Sequence, residues 1–168
     1  GTESQWVNDP TLPEADKVTM AAWIKSGRPE GDVADGPESL TFPDGWNIGK
    51  PDAVYKAREV NVKATGVMPY EYLVIQTDED SDRWVQSVQI RPSRPEVVHH
   101  VLVMMVPPGK SARDLNGIDY WAAYAPGNGT HIYADGYGRK LPKGSKLVLS
   151  MHYTPNGVAT VDKTEIAV

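Results

Sequence analysis

"EVVHHVLVMMVPPG", residues 96–109, reads as a buried strand with two histidines side by side in it. The run is apolar on both faces, which places it centrally in a sheet. Successive side chains of a regular strand point to opposite faces, so His99 and His100 would diverge. Burying two imidazoles among Val97, Val98, Val101 and Leu102 costs free energy unless each ring nitrogen finds a partner. A metal ion satisfies both rings at once, provided the strand is irregular at this point. Pro92 and Pro95 interrupt pairing just upstream, so a bulge near His99 is expected.

Working outward, "KLVLSMHYTPNG" is a second apolar strand, with His152 near its end. Ser150 and His152 share one face; Leu149, Met151 and Tyr153 take the other. If the two strands are neighbours, His99, His100 and His152 converge. Three neutral imidazoles with an open position suit copper or zinc. A lone strand histidine is ordinarily a hydrogen-bonded core or edge residue; the pair plus a third departs from that pattern. Met104, Met105 and Met151 carry thioethers that favour Cu(I), yet at such positions methionine ordinarily fills the core. His131, in "PGNGTHIYADGYG", reads as an exposed loop residue.

The rest of the chain is punctuated by turns such as "RPSRP", "LPKGS" and "TPNG". Strands are expected at 53–62, 70–77, 83–91, 97–106, 119–124, 146–154 and 161–168. In "RWVQSVQIR", Trp84, Val88 and Ile90 are expected on one face, with Arg83, Ser87 and Gln89 on the other. The pattern predicts an all-β fold, an antiparallel β-sandwich or jelly roll, with one N-terminal α-helix. That helix is expected over about 12–26 in "TLPEADKVTMAAWIKSG". Thr11 and Glu14 have capping-box spacing, and Gly27 and Pro29 end the helix. Three segments follow: a helical tail, 1–32; a Gly/Pro/Asp-rich junction, 33–52, with Trp46 and Ile48 as anchors; and a β domain, 53–168.

Composition limits the functional classes. The chain has 168 residues, 40% hydrophobic and 23% charged, with a formal charge of -5. No dense Lys/Arg stripe marks a nucleic-acid partner, and no apolar run is long enough to span a bilayer. Cysteine is absent, which excludes disulfides, zinc-thiolate sites and C-x-x-C-H haem attachment. No G-x-S-x-G, P-loop or dinucleotide fingerprint occurs. "TDEDSDR", 77–83, lacks EF-hand spacing and reads as a solvated turn rather than a calcium loop.

"VVHHVLVMM", followed about fifty residues later by "LVLSMHYTPNG", resembles the N-terminal copper domain of the copper type II, ascorbate-dependent monooxygenases, the family of peptidylglycine alpha-hydroxylating monooxygenase. The intervening "YAPGN" and "LPKGSKL" resemble the family's stretch before its third ligand. The resemblance extends to bacterial members in which this module follows a cytochrome c-like domain. "TMAAWIKSGRPEGD" looks like the last helix and tail of that domain, and "GWNIGKPD" like the junction. It implies one copper ion, Cu(I)/Cu(II), held by His99, His100 and His152, in a periplasmic or extracellular bacterial protein. It also implies two kinds of partner: an electron donor, either an ascorbate-like reductant or a cytochrome c domain, and a second copper domain. The family's second domain carries H-x-H and a methionine ligand. No such motif follows within this sequence, so the chain is expected to match the electron-transfer half of the enzyme, without the hydroxylating half. The animal members' disulfides have no counterpart here.

Three functional readings follow. One is a mononuclear copper domain that passes electrons. Another is a non-catalytic structural or interaction domain of a larger protein. The third is an oxidase or monooxygenase acting at a single copper, for which no residue pattern indicates a substrate pocket.

Overall fold

The computed structural model describes residues 9, 11–39, 44–113 and 119–168. Residues 1–8, 10 and 40–43 of the expected tail and junction lie outside the described residues. The chain divides into two compact units, Gly1–Phe42 and Pro43–Val168.

The first unit carries the helix α1, Glu14–Lys25. The capping box is not formed. Pro13 is the N-cap and no side chain caps the helix, so Glu14 falls at the first helical position, too early to reach back to Thr11. The carbonyl of Pro13 instead accepts from the N–H groups of Asp16 and Lys17. Glu14 and Asp16 in the first turn, and Lys25 in the last, complement the helix dipole. The expected stop is present. Gly27 has φ 88°, Arg28 N–H donates to the Trp23 carbonyl, and Gly27 N–H donates to that of Ile24, a Schellman ending. No residue of α1 is buried.

The second unit is built of antiparallel strands. They are β1 (Val54–Lys56), β2 (Val60–Val62), β3 (Glu71–Gln76), β4 (Arg83–Val85), β5 (Ser87–Arg91), β6 (Val98–Val106), β7 (Asp119–Tyr124), β8 (Thr130–Ile132), β9 (Arg139–Leu141), β10 (Lys146–Tyr153), β11 (Thr160–Asp162) and β12 (Glu165–Ala167). One four-stranded sheet has the order β3-β10-β6-β7, and another β1-β12-β5-β8. Two small sheets pair β11 with β2 and β4 with β9. The apolar run of β6 does lie inside its sheet, between β10 and β7. A single buried cluster draws Leu73, Val101, Val103, Leu147, Leu149 and Met151 from one large sheet and Tyr55, Val88, Ile90 and Ile166 from the other.

Three expected strands are each split in two, because the halves pair with different partners. The 83–91 segment shows the consequence. Its halves meet at Gln86, which belongs to neither strand, and β4 joins β9 whereas β5 joins β12 and β8. The alternation shifts phase there, so Trp84 is 73% exposed while Val85 is 5% exposed. Trp84 therefore does not share the buried face of Val88 and Ile90, whereas Gln89 keeps to the opposite face and is buried there.

Trp46 and Ile48 are half-buried. The Arg91 guanidinium lies 3.8 Å from the Trp46 ring centroid, within cation–π range. Arg91 also donates to the Gly45 carbonyl, and Asn47 N–H donates to Gln89 Oε1. The end of the junction is thus tied to β5.

The register makes a testable contrast on β3 and β10. Leu149 faces the core at 0% exposure, while Val74, on the other face, is 52% exposed. Leu149→Ala is expected to cost about 2–5 kcal/mol in urea unfolding. Val74→Ala is expected to change stability by no more than about 0.5 kcal/mol.

Candidate metal centre

The β6–β10 ladder runs regularly from Lys146↔Val106 to His152↔His100, and the next pair is Tyr153↔Val98. His99 has no partner: one extra residue is inserted into β6 at this point. A bulge of this kind re-aims the side chain it carries. In regular alternation His99 would point into the core with Val101. Instead Val98 and Val101 are both buried, at 1% and 0% exposure, and His99 between them is exposed. The irregularity expected from two vicinal histidines is therefore present.

The bulge brings three rings together. The ring centroids of His99, His100 and His152 are 5.0–5.2 Å apart in every pairing. His99 Nδ1 and His100 Nδ1 are 3.0 Å apart. One ligand nitrogen from each ring lies within 4.8 Å of the others. Metal–nitrogen bonds of about 2.0–2.1 Å leave two ligands of one ion about 3–4 Å apart, so a small rotation of the rings closes the set. Among the described residues this is the one group of three His, Cys, Asp or Glu placed to hold a metal ion.

The electrostatics fit such an ion. His152 Nδ1 is buried without a hydrogen-bond partner. An unsatisfied buried ring nitrogen is costly, and coordination through that nitrogen would remove the cost. Burial, reinforced by the neighbouring His152 and His99, holds the His100 pKa below the ordinary imidazole value. That shift favours the neutral form, the one that can bind a cation.

Tyr70 is a component that sequence reasoning missed. Its ring stacks on His152 at 4.7 Å with an interplanar angle of 12° and lies 5.8 Å from His100. The register explains its place: Glu71 pairs with Met151, so the preceding residue falls beside His152. Nothing in "MPYEY" marks this tyrosine until the β3–β10 pairing is known.

The remaining candidates fall elsewhere. His131 is exposed, as expected, but it lies on β8 rather than in a loop, opposite Val88 and edge-on to Tyr133. Backbone pairing with β5 orders a segment whose glycines and polar residues carry no strand pattern. Met105 and Met151 fill the core. Met104 is four residues along β6 from His100, about 13 Å at strand rise. The acidic run 77–83 is more ordered than a solvated turn. Glu79 is buried, accepts from the Tyr55 hydroxyl and pairs with Arg83. Asp82 accepts from Lys143 N–H at 2.9 Å and pairs with Lys140.

No helix among the described residues is long and apolar enough to cross a membrane. Compared with known proteins, the chain matches no family model, no curated sequence and no solved structure.

Tyr70 meets His152 through its ring face, so the hydroxyl is dispensable. Tyr70→Phe is expected to leave the His152 ring-proton NMR shifts in place. Tyr70→Ala is expected to move them downfield, by loss of the ring current, and to lower stability by at least about 0.5–1.5 kcal/mol, the stacking component alone.

Proposed function

We propose that the chain is a mononuclear copper domain of the copper type II monooxygenase kind, with a β-sandwich or jelly-roll body and an electron-transfer role. The observation that carries this reading is the convergence of His99, His100 and His152 across a bulged strand pair. A bound copper ion supplies one-electron Cu(II)/Cu(I) chemistry. The chain's own part is to present three imidazoles and to stack Tyr70 on one of them. At nitrogen sites Cu(II) binds more tightly than Zn(II), which favours copper over the zinc that the same ligands accept. The reading extends to the partners and the compartment. An ascorbate-like reductant or a cytochrome c domain donates the electron, a second copper domain receives it, and the protein works in a bacterial periplasm or outside the cell.

Titration of metal-free protein with Cu(II), in competition with Zn(II), tests the assignment. One copper per chain is expected, reducible by ascorbate. His99→Ala, His100→Ala and His152→Ala are each expected to weaken binding by more than the about 10–100-fold typical of losing a ligand's hydrogen-bond partner. Unchanged affinity in any of the three removes that residue from the site. No uptake by the wild-type protein leaves a structural or interaction domain as the reading.

A further inference from the structure

Asp162 ends β11 and is fully buried, at 0% exposure. A carboxylate in that position is tolerable only if its lone pairs are satisfied, and here four donors converge on it. Oδ1 accepts from the Ser93 hydroxyl at 3.2 Å and from Arg94 N–H at 3.0 Å. Oδ2 accepts from the Tyr153 hydroxyl at 3.0 Å and the Thr164 hydroxyl at 2.7 Å. Lys163 N–H donates to Ser93 Oγ at 2.8 Å, which leaves the Ser93 hydroxyl hydrogen free to point at the carboxylate.

The two oxygens serve two different chain segments. Ser93 and Arg94 begin the turn that leads into β6, where Val97 N–H donates to the Arg94 carbonyl and Val98 N–H to that of Pro95. Tyr153 follows His152 directly and pairs with Val98 across the bulge. Thr154 N–H then donates to the Val97 carbonyl at 2.8 Å. The bulged residue therefore lies between two fixed points, the His100↔His152 pair on one side and the Asp162 contacts on the other. A strand pair by itself can slip by one residue, which turns every side chain to the opposite face. In a slipped register Arg94 and Tyr153 could not both reach one carboxylate.

We propose that Asp162 is a positioning residue for the histidine trio: its two oxygens clamp the start of β6 to the end of β10 and hold His99, His100 and His152 in one register. The inference rests on the trio being the copper site. Asparagine can keep much of the clamp. Its oxygen accepts from Arg94 and Ser93, while its amide donates to the Tyr153 and Thr164 hydroxyls, which can rotate to accept. Leucine can keep none of it.

The test uses the full chain and Cu(II), read by titration and by the EPR spectrum of the bound ion. Tyr153→Phe and Ser93→Ala each cut one arm of the clamp. Each is expected to weaken copper binding by about tenfold and to change the EPR parameters. Asp162→Asn is expected to stay near wild type, and Asp162→Leu, where it folds, to lose more than either single-arm variant. Ile75→Val, in the core at the far end of β3, serves as a destabilised control with a wild-type spectrum. Wild-type affinity and spectra in both single-arm variants overturn the clamp, as does an equal loss in the control. A wild-type protein that binds no copper overturns the copper reading alone. The clamp is then decided in the metal-free chain, where Tyr153→Phe is expected to speed amide exchange at His99 and His100 by about tenfold. Unchanged exchange overturns it.

Discussion

One extra residue in β6 controls the rest of the candidate centre. Strand alternation forbids two neighbours from sharing a face, and only an insertion in the ladder lifts that rule. The insertion at His99 lies near the start of β6 and the end of β10, so the lost pairing falls at the rim of the sheet, where it is tolerated best. From there to Val106 the ladder is regular against β10, and the buried row Val101, Val103 and Met105 anchors it. A regular, buried body of strand holds the irregular end in place. The same pairing continues into β3, which delivers Tyr70 to the outer side of His152.

Much of this was legible in the sequence because it depends on local periodicity. The long apolar runs of β6 and β10 announce central strands, and the vicinal histidines announce a break in one of them. Convergence with His152 needed only the assumption that the two strands are neighbours. What stayed hidden depends on pairing between distant segments. Trp84 lost its expected place beside Val88 and Ile90 because Gln86 separates strands that enter different sheets, and no local pattern records a change of partner. Helix α1 kept its glycine stop, a matter of backbone conformation, but not its capping box, since Pro13 set the first turn one residue before Glu14. Tyr70 and Asp162 are placed by register alone, Asp162 reaching Ser93 and Arg94 from 69 and 68 residues away.

The second unit also shows how an acidic chain keeps its buried carboxylates. Glu79 and Asp162 are both buried, and each faces several donors. Burial, then the hydrogen bond and the charge of Glu79, push the Tyr55 phenol far up. Burial and Asp162 do the same to Tyr153. Both hydroxyls therefore remain protonated and stay donors. Glu79 ties the β3–β4 connection to β1, and Asp162 ties a turn to β10. In both places a charge does work that a short strand or a three-residue ladder could not do by itself.

The spacing of the donors explains why vicinal histidines suit such a centre. In an H-x-H arrangement on a regular strand the two residues share a face, but their Cα atoms stand about 7 Å apart. Adjacent residues are only about 3.8 Å apart, and a cross-strand pair about 4.5–5.5 Å. His99, His100 and His152 thus start from a tight backbone triangle, and short rotations bring three nitrogens to one point. Each ring is also held by a different constraint. The bulge turns His99 outward, the ladder sets His100 against His152, and Tyr70 stacks on His152 from outside. Because His99 is exposed while the other two are half-buried, the triangle is backed by protein and open on one side.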